Sequence, residues 1–209
     1  MTLYSYVVKY DRGFAPNPYG GYCTLACCKP GLRRRARRGD WVVGLAPKAR
    51  GSGIVYAMCV DEVLTFAEYW KDKRFTCKKP SFGGELILRV GDNIYEPLAP
   101  KKFKQHPSLH SNGVFENEEN KTHDLNGKHV LIATTFNYWG SSPYPLPSGL
   151  EALCVGRGHR SRFATEVKEA FLRFIAECPS GIVANPDSGE MCGIEPGRCT
   201  PKVGARIKC

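Results

Sequence analysis

Apolar and polar positions alternate or cluster in short runs along most of this chain, and the runs read as strands more often than as helices. Leu3 to Tyr10 is apolar and aromatic with β-branched Val7 and Val8, and Asp11-Arg12-Gly13 breaks it, which predicts an opening strand and a turn. Gly39-Asp40 turns the chain into a buried strand, Trp41-Val42-Val43-Gly44-Leu45. Ile54 to Leu64 predicts a second long strand, and Thr65 to Glu68 has the spacing of a capping box that opens a short helix through Tyr69 and Trp70. Glu85 to Val90 reads as a further strand, closed by a turn at Gly91-Asp92-Asn93, and residues 97 to 128 show no period and read as irregular.

His129 to Trp139 is the clearest central strand, ended by the prolines of residues 140 to 147, and Glu151 to Gly156 adds one more. Val167, Ala170, Phe171, Phe174 and Ile175 fall on one helical face, with Thr165 as N-cap and Pro179 and Gly181 beyond the end. The pattern predicts an α+β domain over residues 1–181, with a strongly curved, mostly antiparallel sheet or small barrel, one long C-terminal helix and short helices. Residues 182–209, rich in Gly, Pro and Cys, read as an extended or poorly ordered tail. No strand leads into a Gly-rich phosphate loop and a long helix, so neither a P-loop nor a dinucleotide fold is indicated.

Composition sharpens the picture in two places. At 209 residues with 42% apolar and 24% charged residues, the chain is of globular type and has no apolar run long enough for a membrane span. Its formal charge of +10 favours polyanionic or phosphate-bearing partners. The N-terminus lacks secretory signal features, so the ten cysteines are expected as reduced thiols in a cytoplasmic protein. No pair has Cys-x-x-Cys spacing, so buried or adventitious thiols are expected rather than a metal site, and no cofactor is indicated.

Candidate chemistry lies in five places, each with a structural alternative. Lys29 to Arg38 holds six basic residues in ten, Arg34 among them, and suits phosphate or a solvated face. The loop from Gly13, with Phe14 and Asn17, suits close approach to a ligand. Tyr138 and Trp139 could stack on a base or fill the core. Gly156-Arg157-Gly158-His159-Arg160 precedes the helical segment and suits an anion, although Arg160 could instead pair with Asp92. Asp92 and Asn93 suit proton transfer or base contacts, or an Asx turn, and His106, His110 and His123 crowd the irregular segment.

These blocks resemble a bacterial and phage family, the nucleotide modification associated domain, type two. The resemblance rests on Leu-Tyr-Ser-Tyr-Val-Val at 3–8, Gly-Phe-Ala-Pro-Asn-Pro at 13–18 and Cys-Thr-Leu-Ala-Cys-Cys-Lys-Pro at 23–30. It continues in Gly-Asp-Trp-Val-Val-Gly at 39–44, Gly-Asp-Asn-Ile-Tyr at 91–95 and Gly-Arg-Gly-His-Arg at 156–160. It runs from about Leu3 to Ile182 and implies an association with modified bases in DNA and with phage–host conflict. The Gly-Asp-Trp-Val-Val element is also similar to the strand entry of PUA-like β-barrels. The expected function is recognition of a modified base or nucleotide, with Arg34, Arg157 and Arg160 on phosphate and Tyr138 or Trp139 stacking. The alternatives are an enzyme that installs, trims or removes a modification, with Asp92 as acid or base assisted by His110 or His159, and an adaptor for modification or defence proteins. DNA or nucleotides carrying modified bases are the expected partners, and a membrane is not.

Overall fold

A computed structural model describes residues 1–81, 83 and 86–187. Its largest sheet has six strands in the order β10-β1-β3-β4-β9-β11. These are β10 (His159–Arg160), β1 (Leu3–Val7), β3 (Trp41–Leu45), β4 (Ile54–Cys59), β9 (Phe136–Tyr138) and β11 (Gly181–Ile182). The β1–β3 and β9–β11 pairs are parallel and the other three antiparallel. A second, antiparallel sheet has the order β2 (Cys23–Leu25), β8 (His129–Ala133), β5 (Glu62–Thr65), and β6 (Tyr95–Ala99) pairs with β7 (Lys102–Gln105). The architecture is mixed α/β with several sheets and a few helices. The described residues form no closed barrel, so the small-barrel form of the expectation is not seen among them.

Both long strands expected from the sequence are broken, and at the same place. Ile54–Cys59 belongs to the large sheet and Glu62–Thr65 to the second, while Phe136–Tyr138 and His129–Ala133 divide in the same way. Asp61 makes the shared bend: one of its oxygens accepts the Thr134 amide at 2.6 Å and the Thr134 hydroxyl at 2.7 Å. Continuous apolar patterning cannot reveal such a bend, because each half still buries a face.

Elsewhere local chemistry is obeyed. Thr65 and Glu68 form a reciprocal capping box that opens α2 (Phe66–Lys71), with Thr65 N–H donating to Glu68 at 2.7 Å. The apolar periodic segment forms α5 (Thr165–Ala176), which buries Phe171 and Ile175 against Leu3, Trp41 and Trp139. Its N-cap is Ala164, without a side-chain bond, and not Thr165. Leu86–Arg89 is the short helix α3 rather than a strand, a distinction that so short an apolar run cannot make. Residues 97–128 contain the β6–β7 pair and α4 (Glu118–Leu125), capped by Asn117; α4 is polar almost all round and so shows no period. Glu151–Leu153 is a 3₁₀ turn, not a strand.

Beyond β11 the chain stays bound to the body. Val183 N–H donates to Tyr138 O at 2.8 Å, Ser141 N–H to Asn185 O at 2.8 Å, and Arg50 pairs with Asp187 at 2.5 Å. The expected tail beyond residue 187 lies outside the described residues. Among the described residues no helix is long and apolar enough to cross a membrane.

Gly44, in central strand β3, faces the ring of buried Tyr56 and the methyl of Val8; a Cβ there would overlap both. Gly44→Ala is expected to cost about 1–3 kcal/mol by overpacking. The melting temperature in a thermal scan should fall by roughly 2–4 °C for each kcal/mol lost. An unchanged melting temperature would show that the core there is looser than this packing implies.

Candidate functional site

The site grows from the turn that joins β2 to α1 (Pro30–Arg33). Here Cys28 has φ +60° and Lys29 φ +42°, two consecutive non-glycine residues in the left-handed region. That backbone is costly and persists only where surrounding bonds over-determine it. Two such bonds are present. Asp124 accepts the Cys28 amide at 2.7 Å, and the Arg33 Nε donates to the Cys28 carbonyl at 2.7 Å. A strained turn between a strand and a helix is also the backbone shape of nucleophile elbows, although here the Cys28 side chain stays buried.

Arg33 is wholly buried, and it closes the construction. Its other two nitrogens donate to His129 O at 2.7 Å and Asp124 O at 2.6 Å, so one guanidinium ties the Cys28 turn to β8 and the end of α4. Gly127 makes this possible, since a Cβ there would overlap the guanidinium.

Opposite the turn, the loop after β7 presents His110. Its Nδ1 lies 2.6 Å from Asp124 Oδ2, and its Nε2 lies 3.6 Å from Cys28 Sγ. An ionised carboxylate only accepts, so the proton between them sits on Nδ1; Nε2 faces the sulfur, where it accepts from the thiol if the imidazole is neutral and donates to the thiolate if it is protonated. Tyr95 O–H donates to the same Asp124 oxygen at 2.8 Å, and Gln105 and Asn120 each donate to the His110 carbonyl at 3.1 Å. Phe14 covers the imidazole face with centroids 4.8 Å apart. Burial alone would push the Asp124 carboxyl up, but His110, Arg33 and the Cys28 amide outweigh it and hold it below the ordinary carboxylate value. Neighbouring Cys27 is different. Burial, reinforced by Asp124, holds its thiol far above the ordinary range.

Two clefts meet at this line of side chains. A wide one of about 920 Å³ is walled by Lys29, Arg157 and His159 on one side and Glu118, Glu119 and His123 on the other. A narrow one of about 50 Å³ is lined by Tyr6, Val8, Phe14 and Leu109 with Lys9 and Arg12. Cys28, Lys29 and His110 border both.

Cys27, His110 and Asp124 bring donor atoms within 4.8 Å of one another, which is metal-ligand spacing. The Asp124 oxygens already accept from His110, Tyr95 and the Cys28 amide, so these groups form a hydrogen-bonded line as they stand.

The residues singled out from the sequence divide sharply. His110 is central, Phe14 packs on it, and Arg157 and His159 line the wide cleft; burial, then Arg35 and Lys29, push the His159 pKa down. Asp92, Asn17 and Asn93 lie elsewhere, in a buried network. Asp92 accepts from Thr24 and Tyr69 at 2.7 Å each, Lys78 donates to Asn17 Oδ1 at 2.7 Å, and Asn93 donates to Tyr69 O at 3.1 Å. Tyr138 and Trp139 are buried too, with the Tyr138 hydroxyl donating to Asp11 at 2.7 Å and Trp139 packed among Tyr144 and Phe174, so their rings have no face open to a base. Arg34 is exposed on the basic turn. Arg160 donates to Ala152 O at 2.8 Å and does not pair with Asp92.

Sequence reasoning passed over Cys28, Arg33 and Asp124 as members of a site. A buried strand ending in Cys-Lys-Pro before a basic helix was a legible signal for Cys28. Asp124 sits in a polar segment and had none.

The fold and site define a mixed α/β domain with a cysteine–histidine–aspartate line at the junction of two clefts. The chain belongs to the nucleotide modification associated domain 2 family, whose model matches residues 1–193 and so runs beyond Ile182. No curated protein and no solved structure matches it.

Because Asp124 is held below its ordinary pKa in the folded chain, its contribution to stability is complete above the unfolded carboxyl pKa and is lost as pH falls through the folded one. Asp124→Asn should therefore cost about 3–5 kcal/mol near neutrality, as for a broken buried pair. The gap to wild type should narrow as pH falls below the unfolded carboxyl pKa of about 4, in urea unfolding at each pH. A gap independent of pH would show that the carboxylate is not charged in the folded protein.

Proposed function

We propose that this domain is a thiol-dependent enzyme that transfers or hydrolyses an acyl group on a nucleotide or nucleic acid, and so installs or trims a modification. The observation that carries the reading is the line Cys28 Sγ, His110 Nε2 and Nδ1, Asp124 Oδ2, with spacings of 3.6 and 2.6 Å and a cleft on either side. A sulfur, a base and an orienting carboxylate in this order are the parts of nucleophilic catalysis.

His110 Nε2 takes the thiol proton as Cys28 Sγ attacks the carbonyl carbon of an amide or ester. The carbon–nitrogen or carbon–oxygen bond then breaks, and the leaving amine or alcohol takes the proton from His110. Water or an acceptor amine attacks the resulting thioester, gives a proton back through His110, and restores the thiol. Asp124 steadies the imidazolium in both steps. Membership of a family associated with nucleotide modification, together with the basic residues of the wide cleft and of the Lys29–Arg38 turn, supports a nucleotide or DNA as the substrate.

A recognition module is the second reading, favoured by Lys29, Arg157 and His159 on one wall of the wide cleft. It requires binding of modified DNA or nucleotide without turnover, with affinity falling as salt rises.

p-Nitrophenyl acetate serves as a generic acyl donor. Wild type is expected to release a burst of nitrophenol and to carry an acetyl group on Cys28 by peptide mass mapping; Cys28→Ala and His110→Ala should lose both. Asp124→Asn should slow the burst by roughly 10²–10⁴-fold. A burst of the same size in Cys28→Ala would remove the proposal. Binding of modified DNA without any acylation of Cys28 would favour the recognition module.

A further inference from the structure

The narrow cleft differs from the wide one in the sign of its walls. Lys9, Arg12 and Lys29 line it, and no carboxylate does. Asp11 sits between Lys9 and Arg12 in the chain but is turned inward, where both its oxygens accept the Tyr138 hydroxyl at 2.7 Å and one accepts the Gly13 amide. Lys9 and Arg12 flank the Tyr10 ring at 4.9 and 6.0 Å from its centroid, and neither belongs to an ion pair among the described residues. The wide cleft, in contrast, sets Glu118 and Glu119 against its cations.

Size separates the two as well. The narrow cleft offers about 50 Å³ against about 920 Å³ in the wide one, so it takes the smaller group. Its inner wall is apolar, with Val8, Phe14 and Leu109, and its mouth is cationic.

We infer that the narrow cleft is an oxyanion subsite, which takes a short group ending in a carboxylate or phosphate while the wide cleft takes the nucleotide. The inference rests on Cys28 as nucleophile, because that residue borders both clefts. On that footing the acyl group received by Cys28 is short and bears a terminal negative charge, and Lys9 and Arg12 select for it.

Alkylation of the full chain at low salt by iodoacetate and by iodoacetamide tests this, with peptide mapping to follow Cys28 separately from exposed Cys77 and Cys154. Free cysteine reacts faster with the neutral reagent. At Cys28 the ratio of iodoacetate to iodoacetamide rates should exceed that of free cysteine by about tenfold or more, and the Lys9→Gln, Arg12→Gln double variant should return it to the free-cysteine ratio. Succinate and inorganic phosphate are then compared as protectants: better protection by succinate assigns a carboxylate, better protection by phosphate a phosphoryl group, and equal protection the shared oxyanion chemistry. A wild-type ratio equal to that of free cysteine, or protection by neither anion, overturns the subsite and leaves the nucleophile standing. Alkylation of Cys28 by neither reagent overturns the nucleophile and the subsite together.

Discussion

The candidate site depends on a guanidinium with no access to water. Arg33 reaches the carbonyls of Cys28, Asp124 and His129, which come from a turn, a helix end and a strand far apart in the chain. A buried charge is tolerated only if its donors are met, and these carbonyls meet them while the Asp124 carboxylate balances the charge. Phe66 covers the guanidinium at 5.5 Å. The same arginine therefore holds the backbone of Cys28 and the helix that carries Asp124, so one rigid planar group links the two. That the backbone at Cys28 and Lys29 stays in the left-handed region follows from this clamp, since neither side chain favours it.

The two buried polar networks look alike in composition and differ in access. Around Asp92 the donors are Thr24, Tyr69 and the amide of Ala26, and burial holds the carboxyl above its ordinary range although Lys78 opposes it. Every partner is protein, and Asp92 borders neither cleft, so the network fixes β2 and the turn before β6. Around Asp124 the third member of the line is a histidine whose other nitrogen meets a sulfur at the junction of two clefts. The Asp124 carboxylate lies behind a buried imidazole that borders both clefts, whereas the Asp92 carboxylate lies behind Thr24 and Tyr69, which border neither.

The bend at Asp61 matters for the same reason. Because of it β4 and β9 pair in one sheet and their continuations β5 and β8 in another. The narrow cleft has β1 and the loop that carries His110 in its lining, and the wide one has that loop, α4 and residues 157–159. Phe14, Tyr6 and Leu109 line the narrow cleft.

Much of this was legible from residues alone, and the limit has a physical origin. The first strand, the buried β3, the capping box at Thr65, the amphipathic face of Val167 to Ile175 and the family all follow from local patterns, because period, turn chemistry and cap spacing act over a few residues. His110 stands out in the sequence by its chemistry, and Arg157 and His159 by their Gly-rich turn, and all three line the wide cleft. Residue type alone does not mark Cys28 among ten thiols, and Asp92, conspicuous in its turn, lies in a buried network that borders neither cleft. What only the tertiary structure decided is which acid meets which histidine, where the long strands break and which aromatics are spent in the core. Those outcomes rest on contacts such as Cys28 with Asp124, residues 96 positions apart, whose bond depends on burial and on a shared arginine. No local pattern encodes them, because the energy of such a bond comes from excluding water around groups that the chain brings together only when it folds.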